Sequence, residues 1–155
     1  MVILPLNERH DRLGFDCGND DLNHWLVRVA KQHKDKRVSS TYVGVVNEAG
    51  AEVLGYYAIS IAELANVHLP EPYRKKLPMK VPAFRLGRLA VALSHRGIRI
   101  GETLLFDAIE RISRIAEDIG GVGLVVNSKP EAVIFYQQYG FKLMPDHPGN
   151  LILMI

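Results

Sequence analysis

Two arginines and two glycines lie close together in a stretch whose residue types suit anion binding. The stretch, Arg96-Gly97-Ile98-Arg99-Ile100-Gly101, follows an apolar, β-like run over residues 86–93 and precedes a helical pattern. Amides at the start of a helix have no intrahelical partner, and the helix dipole adds partial positive charge there. Arg96 and Arg99 add two full charges, so the turn and helix start over residues 96–103 predict a pyrophosphate site.

Strand, glycine turn and helix also follow one another in many α/β proteins whose turns bind nothing, and this alternative stays open. The stretch is not a Walker A loop, because no Gly-Lys-Ser/Thr follows it. It is not a dinucleotide-binding fingerprint either, because Gly-x-Gly-x-x-Gly is absent. The turn therefore predicts an anion site without identifying the anion.

A second candidate for chemistry is the aromatic segment Phe135-Tyr136-Gln137-Gln138-Tyr139-Gly140-Phe141. In a helix that ends at Gly140, Phe135 and Tyr139 share one face because they are four residues apart. Tyr136 is rotated by about 100° and is expected to point away from the part of the core that Phe135 fills. A phenol placed at a cleft can donate a proton, although such aromatics are more often core residues.

Basic residues are concentrated in two parts of a chain whose net charge is only +2. Between residues 70 and 100 the only acid is Glu71, whereas the basic residues are Arg74, Lys75, Lys76, Lys80, Arg85, Arg88, Arg96 and Arg99. A second cluster contains Arg28, Lys31, Lys34, Lys36 and Arg37. Such clusters favour a surface that faces a polyanion. A solvated helix face and a mobile loop are the alternative, which for the first cluster has the same weight as a functional surface.

The composition predicts one domain with a substantial core, since the chain has 155 residues. A single cysteine, Cys17, excludes an internal disulfide and is expected to be a small packed residue. No histidine has metal-ligand spacing, so no metal site is predicted. No apolar run approaches the roughly 20 residues of a membrane span, and no signal peptide is recognisable, so we expect a cytoplasmic protein.

Hydrophobic periodicity predicts the order of the elements. Strands are expected over residues 2–6, 40–46, 52–62, 81–93, 123–127, 141–144 and 151–155. Helices are expected from Asn19 to about Lys34, from Gly101 to Ile119, and from a capping box at 128–131 to Tyr139. The remaining segments are an irregular loop over 63–81 and a turn-rich segment over 145–150.

The two candidate segments together resemble the GNAT superfamily of acyl-CoA-dependent N-acetyltransferases. That family carries Gln/Arg-x-x-Gly-x-Gly/Ala after a central strand, and Arg96 and Gly101 match its first and last positions. Its later Phe-Tyr-x-x-x-Gly-Phe segment is matched throughout by residues 135–141. Segments 15–26, 40–43 and 85–91 are also similar to the GNAT toxins of bacterial toxin–antitoxin pairs.

The resemblance implies an α/β (α+β) fold in a single domain over residues 1–155. Its mixed, mostly antiparallel central sheet would be splayed at an acetyl-CoA cleft and flanked by helices. The activity implied is acetyl transfer to the primary amine of an aminoacyl-tRNA, which blocks translation. Tyr136 would be the general acid for the leaving thiolate. The pantetheine arm would contact Leu89, Ala90, Val91 and Asn127, and the diphosphate end would contact Arg96, Gly97, Ile98, Arg99, Ile100, Gly101, Glu102 and Thr103.

The same resemblance implies the partners. The tRNA would be held by Arg74, Lys75, Lys76, Lys80, Arg85 and Arg88, and the family forms homodimers that pair with a ribbon-helix-helix antitoxin. Two other functions remain open at this point: acetylation of a small amine or a protein amino group, and a GNAT fold that binds a partner without catalysis.

One position departs from the family signature, because Arg99 stands where the middle glycine is expected. A side chain there would crowd the diphosphate if the backbone must approach it closely or adopt positive φ. Alternatively, the guanidinium turns outward and binds phosphate itself.

Overall fold

The computed structural model describes residues 1–145 and 149–155. The strands are β1 (Val2–Pro5), β2 (Ser40–Val45), β3 (Gly55–Ala65), β4 (Lys80–Val91), β5 (Gly123–Asn127), β6 (Lys142–Leu143) and β7 (Asn150–Met154). The helices are α1 (Asp20–Arg28), α2 (Ala30–Asp35), α3 (Glu71–Arg74), α4 (Ile100–Ile119) and α5 (Val133–Gln138). Part of the turn predicted over residues 145–150, Asp146 to Pro148, lies outside the described residues.

The strands form a seven-stranded sheet in the order β1-β2-β3-β4-β5-β7-β6. Strands β4 and β5 run parallel, with Arg85 opposite Val125. The pairs β1–β2, β2–β3, β5–β7 and β6–β7 are antiparallel. The mixed, mostly antiparallel sheet that the family resemblance implied is therefore confirmed.

The chain divides into two compact units, which are described separately. The first comprises Met1–Ser60 and Gly87–Ile109, and its core contains Trp25, Leu26 and Tyr56. The second comprises Ile61–Leu86 and Glu110–Ile155. The core of the second unit includes Leu64, Leu69, Val81, Ala83, Val125, Met144 and Ile152.

The first helix begins as its sequence predicts, because the side chain of Asn19 accepts a hydrogen bond from the amide of Leu22 at 3.0 Å. Acidic Asp20 and Asp21 in the first turn complement the helix dipole. The single helix predicted as far as Lys34 is wrong, because Val29 adopts φ −113° between α1 and α2. β-Branched valine has restricted side-chain rotamers in a helix, which favours a break at this position.

The predicted capping box over residues 128–131 is also wrong. The hydroxyl of buried Ser128 donates to the Lys129 carbonyl at 2.8 Å instead of capping a helix. A short 3-10 helix over Pro130–Ala132 comes next, and α5 begins only at Val133. Proline does open this segment as predicted, but it opens the 3-10 turn.

Other element boundaries differ from the prediction by a few residues. Strand β3 begins at Gly55 and extends to Ala65, so the loop predicted from residue 63 starts later and contains α3. Strand β4 ends at Val91, and a short 3-10 helix over Leu93–His95 follows it. The helix after the glycine turn begins at Ile100, one residue before the predicted start.

We expect Gly55→Ala to destabilise the fold by about 1–3 kcal/mol. A Cβ at this position would lie 2.8 Å from the Ala90 carbonyl oxygen and 2.8 Å from a Leu104 methyl group. Gly87→Ala is the matched control, because its Cβ would meet nothing closer than the Ala58 oxygen at 4.0 Å. Urea unfolding of both variants checks this expectation, and equal losses of stability would contradict it.

Candidate functional site

The end of β4 is held in the first unit by contacts with the segment at the start of β3. Leu89 and Val91 are half-buried, and Ala90 is buried. The amide of Ala92 donates to the Leu54 carbonyl at 2.9 Å, directly after the strand ends. This hydrogen bond fixes the backbone directly after Leu89, Ala90 and Val91, the three residues predicted to contact a pantetheine arm.

The turn after β4 is braced by an N-terminal loop, a contact that sequence reasoning missed. The amide of Leu93 donates to the Asp16 carbonyl at 2.9 Å. Nη2 of Arg96 donates to the Cys17 carbonyl at 2.6 Å. Arg96, expected to supply charge to an anion, thus uses part of its guanidinium to hold the turn. One indication of this contact is present in the sequence: residues 15–26 and residues 96–101 both match segments typical of the family.

The bracing loop is itself ordered by Asp16. Its carboxylate accepts hydrogen bonds from the Gly18 amide at 2.8 Å and from Nδ2 of Asn23 at 3.0 Å. These two hydrogen bonds, foremost the one from Gly18, and the nearby positive charge of Arg96 lower the pKa of Asp16. The carboxylate therefore stays ionised and keeps the loop closed. Cys17 is buried beside it, as predicted for a packed residue.

Arg99 occupies the left-handed conformation that the family signature assigns to glycine. Its φ is +62°, and the φ of Gly97 is +83°. The Arg99 carbonyl accepts two hydrogen bonds from Thr103, from the amide at 3.1 Å and from the hydroxyl at 3.0 Å. An arginine in this conformation costs about 1–2 kcal/mol relative to the right-handed region. The two bonds from Thr103 offset part of that cost.

The side chain of Arg99 points outward rather than filling the turn. It is 83% exposed, and its nearest acid is Glu102, with 3.8 Å between Nη1 and the carboxylate. The bond from Thr103 is the first of helix α4, so the amides of Ile100, Gly101 and Glu102 precede it and have no partner within the helix. The turn thus offers amides without a partner in the helix beside an exposed positive charge.

Tyr136 lies in the second unit and is more buried than its neighbour. The residue is only 6% exposed, whereas Phe135 is half-buried. The turn at Gly140 contributes to this burial, since its φ is +92° and the amide of Phe141 returns to the Tyr136 carbonyl. The ring of Phe141 then packs edge-on against Tyr136, with 5.4 Å between centroids.

Burial raises the pKa of Tyr136 to about 12. The phenol is therefore fully protonated at any physiological pH and is available as a hydrogen-bond donor. Asn127, the other predicted cofactor contact in this unit, is exposed at the end of β5 and pairs with Asn150 of β7. Asn127 thus lies at the end of a strand, whereas Tyr136 lies within α5.

The predicted tRNA-binding residues differ in how exposed their side chains are and in whether those side chains already have partners. Lys75, Lys76 and Lys80 are exposed in and after the loop that follows α3. Arg74 is half-buried, and its Nε donates to the Leu69 carbonyl at 2.8 Å, which makes it a structural anchor of this loop. Arg85 is half-buried within β4. In the first unit, Arg88 is exposed and lies over the ring of Trp25.

A pocket of about 220 Å³ in the first unit adjoins the bracing loop and is acidic. Its lining includes Asp11, Asp16 and Glu52, together with Leu93 and Ser94. Three carboxylates would repel a diphosphate, so this pocket is not the anion site that the sequence predicts.

Within residues 1–145 and 149–155, no group of three His, Cys, Asp or Glu side chains is arranged to hold a metal ion. None of the helices formed by these residues combines the length and apolar character needed to cross a membrane.

Comparison with known proteins links this geometry to an enzyme family. The sequence model of the acetyltransferase (GNAT) domain matches residues 15–150. The chain is 29% identical to the tRNA-acetylating toxin of Mycobacterium tuberculosis over 97% of its own length and 89% of that protein.

Solved structures give the same relationship. The chain is similar to AtaT complexed with acetyl-methionyl-tRNAfMet, with a TM-score of 0.92, 27% identity, and coverage of 99% of this chain and 94% of that one. It is also similar to a Tyr-to-Phe mutant of the AtaT toxin bound to acetyl-CoA and the C-terminus of the antitoxin AtaR. That match has a TM-score of 0.81, 26% identity, and coverage of 99% and 92%.

The burial of Tyr136 predicts a specific dependence of stability on pH. Its pKa is about 12 in the folded protein and about 10 when unfolded, so folding favours the neutral phenol. This contribution is fully present below about pH 10 and is lost as pH rises from about 10 to 12, on the order of 2 kcal/mol.

Urea unfolding of the wild type and Tyr136→Phe between pH 8 and 11.5 checks this expectation. Every other titrating group is common to both proteins, so the difference between their free energies of unfolding isolates Tyr136. We expect that difference to be constant up to about pH 10 and to shift against the wild type above it. Parallel curves over the whole range would show that the phenol is not buried.

Proposed function

Because the chain belongs to the GNAT acetyltransferase family, we propose that it is a toxin that acetylates the primary amine of aminoacyl-tRNA. Acetyl-CoA would be the donor, and the modified aminoacyl-tRNA could no longer take part in translation. The family resemblance read from residues 96–101 and 135–141 is confirmed by the match over residues 15–150. The observation that carries the proposal is the braced turn, followed by amides at the start of α4 that have no partner within the helix.

The turn supports binding of the diphosphate of acetyl-CoA. The amides of Ile100, Gly101 and Glu102 point out of the helix start, where the dipole favours negative charge. Gly97 has open space around its Cα, so a phosphate can approach the backbone closely. The exposed Arg99 guanidinium supplies a full charge without occupying that space. Leu89, Ala90, Val91 and Asn127 are assigned to the pantetheine arm on the family pattern.

The acceptor amine needs no strong base. A free α-amino group titrates near 7.7–8.0, so a substantial fraction is neutral at pH 7. Its lone pair attacks the thioester carbonyl carbon, the C–S bond breaks, and the nitrogen loses its proton to solvent. The products are an amide on the aminoacyl-tRNA and the thiol of coenzyme A.

Tyr136 is assigned to the leaving thiolate. Because its pKa is about 12 and that of a thiol is near 8.5, complete proton transfer from the phenol is uphill. The phenol therefore stabilises the thiolate mainly as a hydrogen-bond donor, and solvent supplies the final proton. Aid of this kind is typically worth about 10²–10⁴-fold in rate. A Tyr-to-Phe mutant was the form of AtaT crystallised with acetyl-CoA and the AtaR C-terminus, which is consistent with a role for a tyrosine in that toxin.

The tRNA would be held mainly through its phosphates. Lys75, Lys76 and Lys80 are the exposed basic residues best suited to this, with Arg85 and Arg88 in support. The Arg74 side chain is assigned to the loop structure instead, because its Nε is already bonded. The similarity to AtaT complexed with acetyl-methionyl-tRNAfMet supports a tRNA substrate.

The remaining assignments follow the family pattern. We propose a single catalytic domain that works in the cytoplasm as a homodimer and is neutralised by a ribbon-helix-helix antitoxin. The similarity to AtaT bound to the C-terminus of AtaR supports an antitoxin partner.

The experiment that tests the proposal is translation of a reporter in an extract depleted of acetyl-CoA. We expect the wild-type protein to block synthesis only after acetyl-CoA is added. Tyr136→Phe should slow acetylation by about 10²–10⁴-fold and relieve the block. Arg114→Lys is the control, because this exposed side chain pairs with Glu110 on the same helix and lies outside the proposed machinery. Inhibition that is unchanged without acetyl-CoA would refute the proposal.

Arg99 gives a second test, which separates charge from backbone conformation. Asparagine tolerates the left-handed conformation, so Arg99→Asn removes the charge alone, whereas Arg99→Gly also removes the strain. We expect both variants to bind acetyl-CoA about 3- to 10-fold more weakly than the wild type, since each loses one charged phosphate contact. Calorimetry measures these affinities. Tighter binding by Arg99→Gly would instead show that the side chain obstructs the diphosphate.

A further inference from the structure

The guanidinium of Arg88 is held over an aromatic ring. Its Cζ lies 5.3 Å from the centroid of the Trp25 ring, within the range of a cation–π contact. Nη1 of the same group donates to the Gly87 carbonyl at 2.7 Å. These two contacts restrain the position of an exposed arginine side chain.

The ring beneath Arg88 is also fixed. Trp25 is buried and stacks on Tyr56, with 6.0 Å between centroids and 5° between planes. The hydroxyl of Tyr56 donates to the Leu22 carbonyl at 2.7 Å, and Phe15 packs edge-on against the same ring. Tyr56, Trp25 and Arg88 therefore form a continuous series of contacts, from the buried Tyr56 ring to the exposed Arg88 side chain.

None of the ion pairs formed within residues 1–145 and 149–155 involves Arg88. Beyond its contacts with Trp25 and Gly87 the side chain is exposed, so the guanidinium is accessible to a ligand. A planar, delocalised cation is the group that stacks on an unpaired nucleobase.

The position of Arg88 along β4 places this guanidinium near the proposed reaction. If the diphosphate binds residues 96–103 and the pantetheine arm runs back along Val91, Ala90 and Leu89, the acyl group lies at the Leu89 end. Arg88 is the next residue, about 3.3 Å further along an extended strand. The acceptor end of the tRNA must reach the same point, because its amine attacks the acyl carbon.

We propose that the Arg88 guanidinium, held over Trp25, is the platform on which an unpaired base of the tRNA acceptor end stacks. This inference rests on the proposed function and adds a positioning residue to it. A phosphate would bind the edge of the guanidinium, part of which is already bonded to Gly87. A base binds the exposed face, and stacking on a protein side chain is worth about 1–3 kcal/mol per base.

The variant that tests the proposal is Arg88→Lys, which keeps the charge and removes the plane. In acetylation assays we expect its KM for aminoacyl-tRNA to rise about tenfold, with affinity for acetyl-CoA unchanged. The salt dependence of tRNA binding should stay as in the wild type, because the charge is kept. Arg114→Lys, the same substitution at an exposed site outside the proposed machinery, should leave all three quantities unchanged.

A binding measurement decides the inference without relying on activity. The probe is an RNA hairpin with an unpaired 3′ end in which 2-aminopurine replaces the terminal adenine, since stacking quenches its fluorescence. We expect the wild type and Arg114→Lys to quench the probe and Arg88→Lys to quench it much less. Equal quenching by Arg88→Lys, or none by the wild type, would overturn the inference. Failure of the wild type to acetylate any aminoacyl-tRNA, with quenching intact, would refute the proposed function alone.

Discussion

The hydrogen bonds between the N-terminal loop and the turn after β4 are the interaction on which the site depends. Leu93 and Arg96 are joined to the carbonyls of Asp16 and Cys17, so a segment about 80 residues away in sequence sets the shape of the turn. An anion site built from backbone amides needs this kind of support, because free amides bind well only when they are already oriented. The ionised carboxylate of Asp16 closes the loop that provides the support.

The same bracing explains how an arginine occupies a glycine position. A turn fixed at Arg96 and again at the first bond of α4 leaves the residue between them little choice of conformation. Arg99 therefore adopts positive φ, and its side chain turns into solvent, where it adds charge instead of blocking the backbone. The departure from the family signature thus changes how the turn presents charge and leaves its amides accessible.

Local features of the fold and site could be read from the sequence, and long-range ones could not. The Arg96–Gly101 turn and the Asn19 cap follow from motifs over a few residues, whereas the mixed sheet was implied by the family resemblance. The bond from Arg96 to Cys17 has no local signature, since either residue alone is unremarkable in its segment. The burial of Tyr136 also depends on the turn at Gly140, which brings Phe141 against it and which helical spacing does not predict. The contact of Arg88 with Trp25 likewise joins two elements whose pairing the sequence does not specify.

The most direct test of the account is a crystal structure of the full chain with coenzyme A. The account predicts that the diphosphate oxygens lie within hydrogen-bonding distance of the amides between Gly97 and Glu102, with the Arg99 guanidinium turned toward them. A diphosphate bound away from this turn, with these amides facing only solvent, would contradict it.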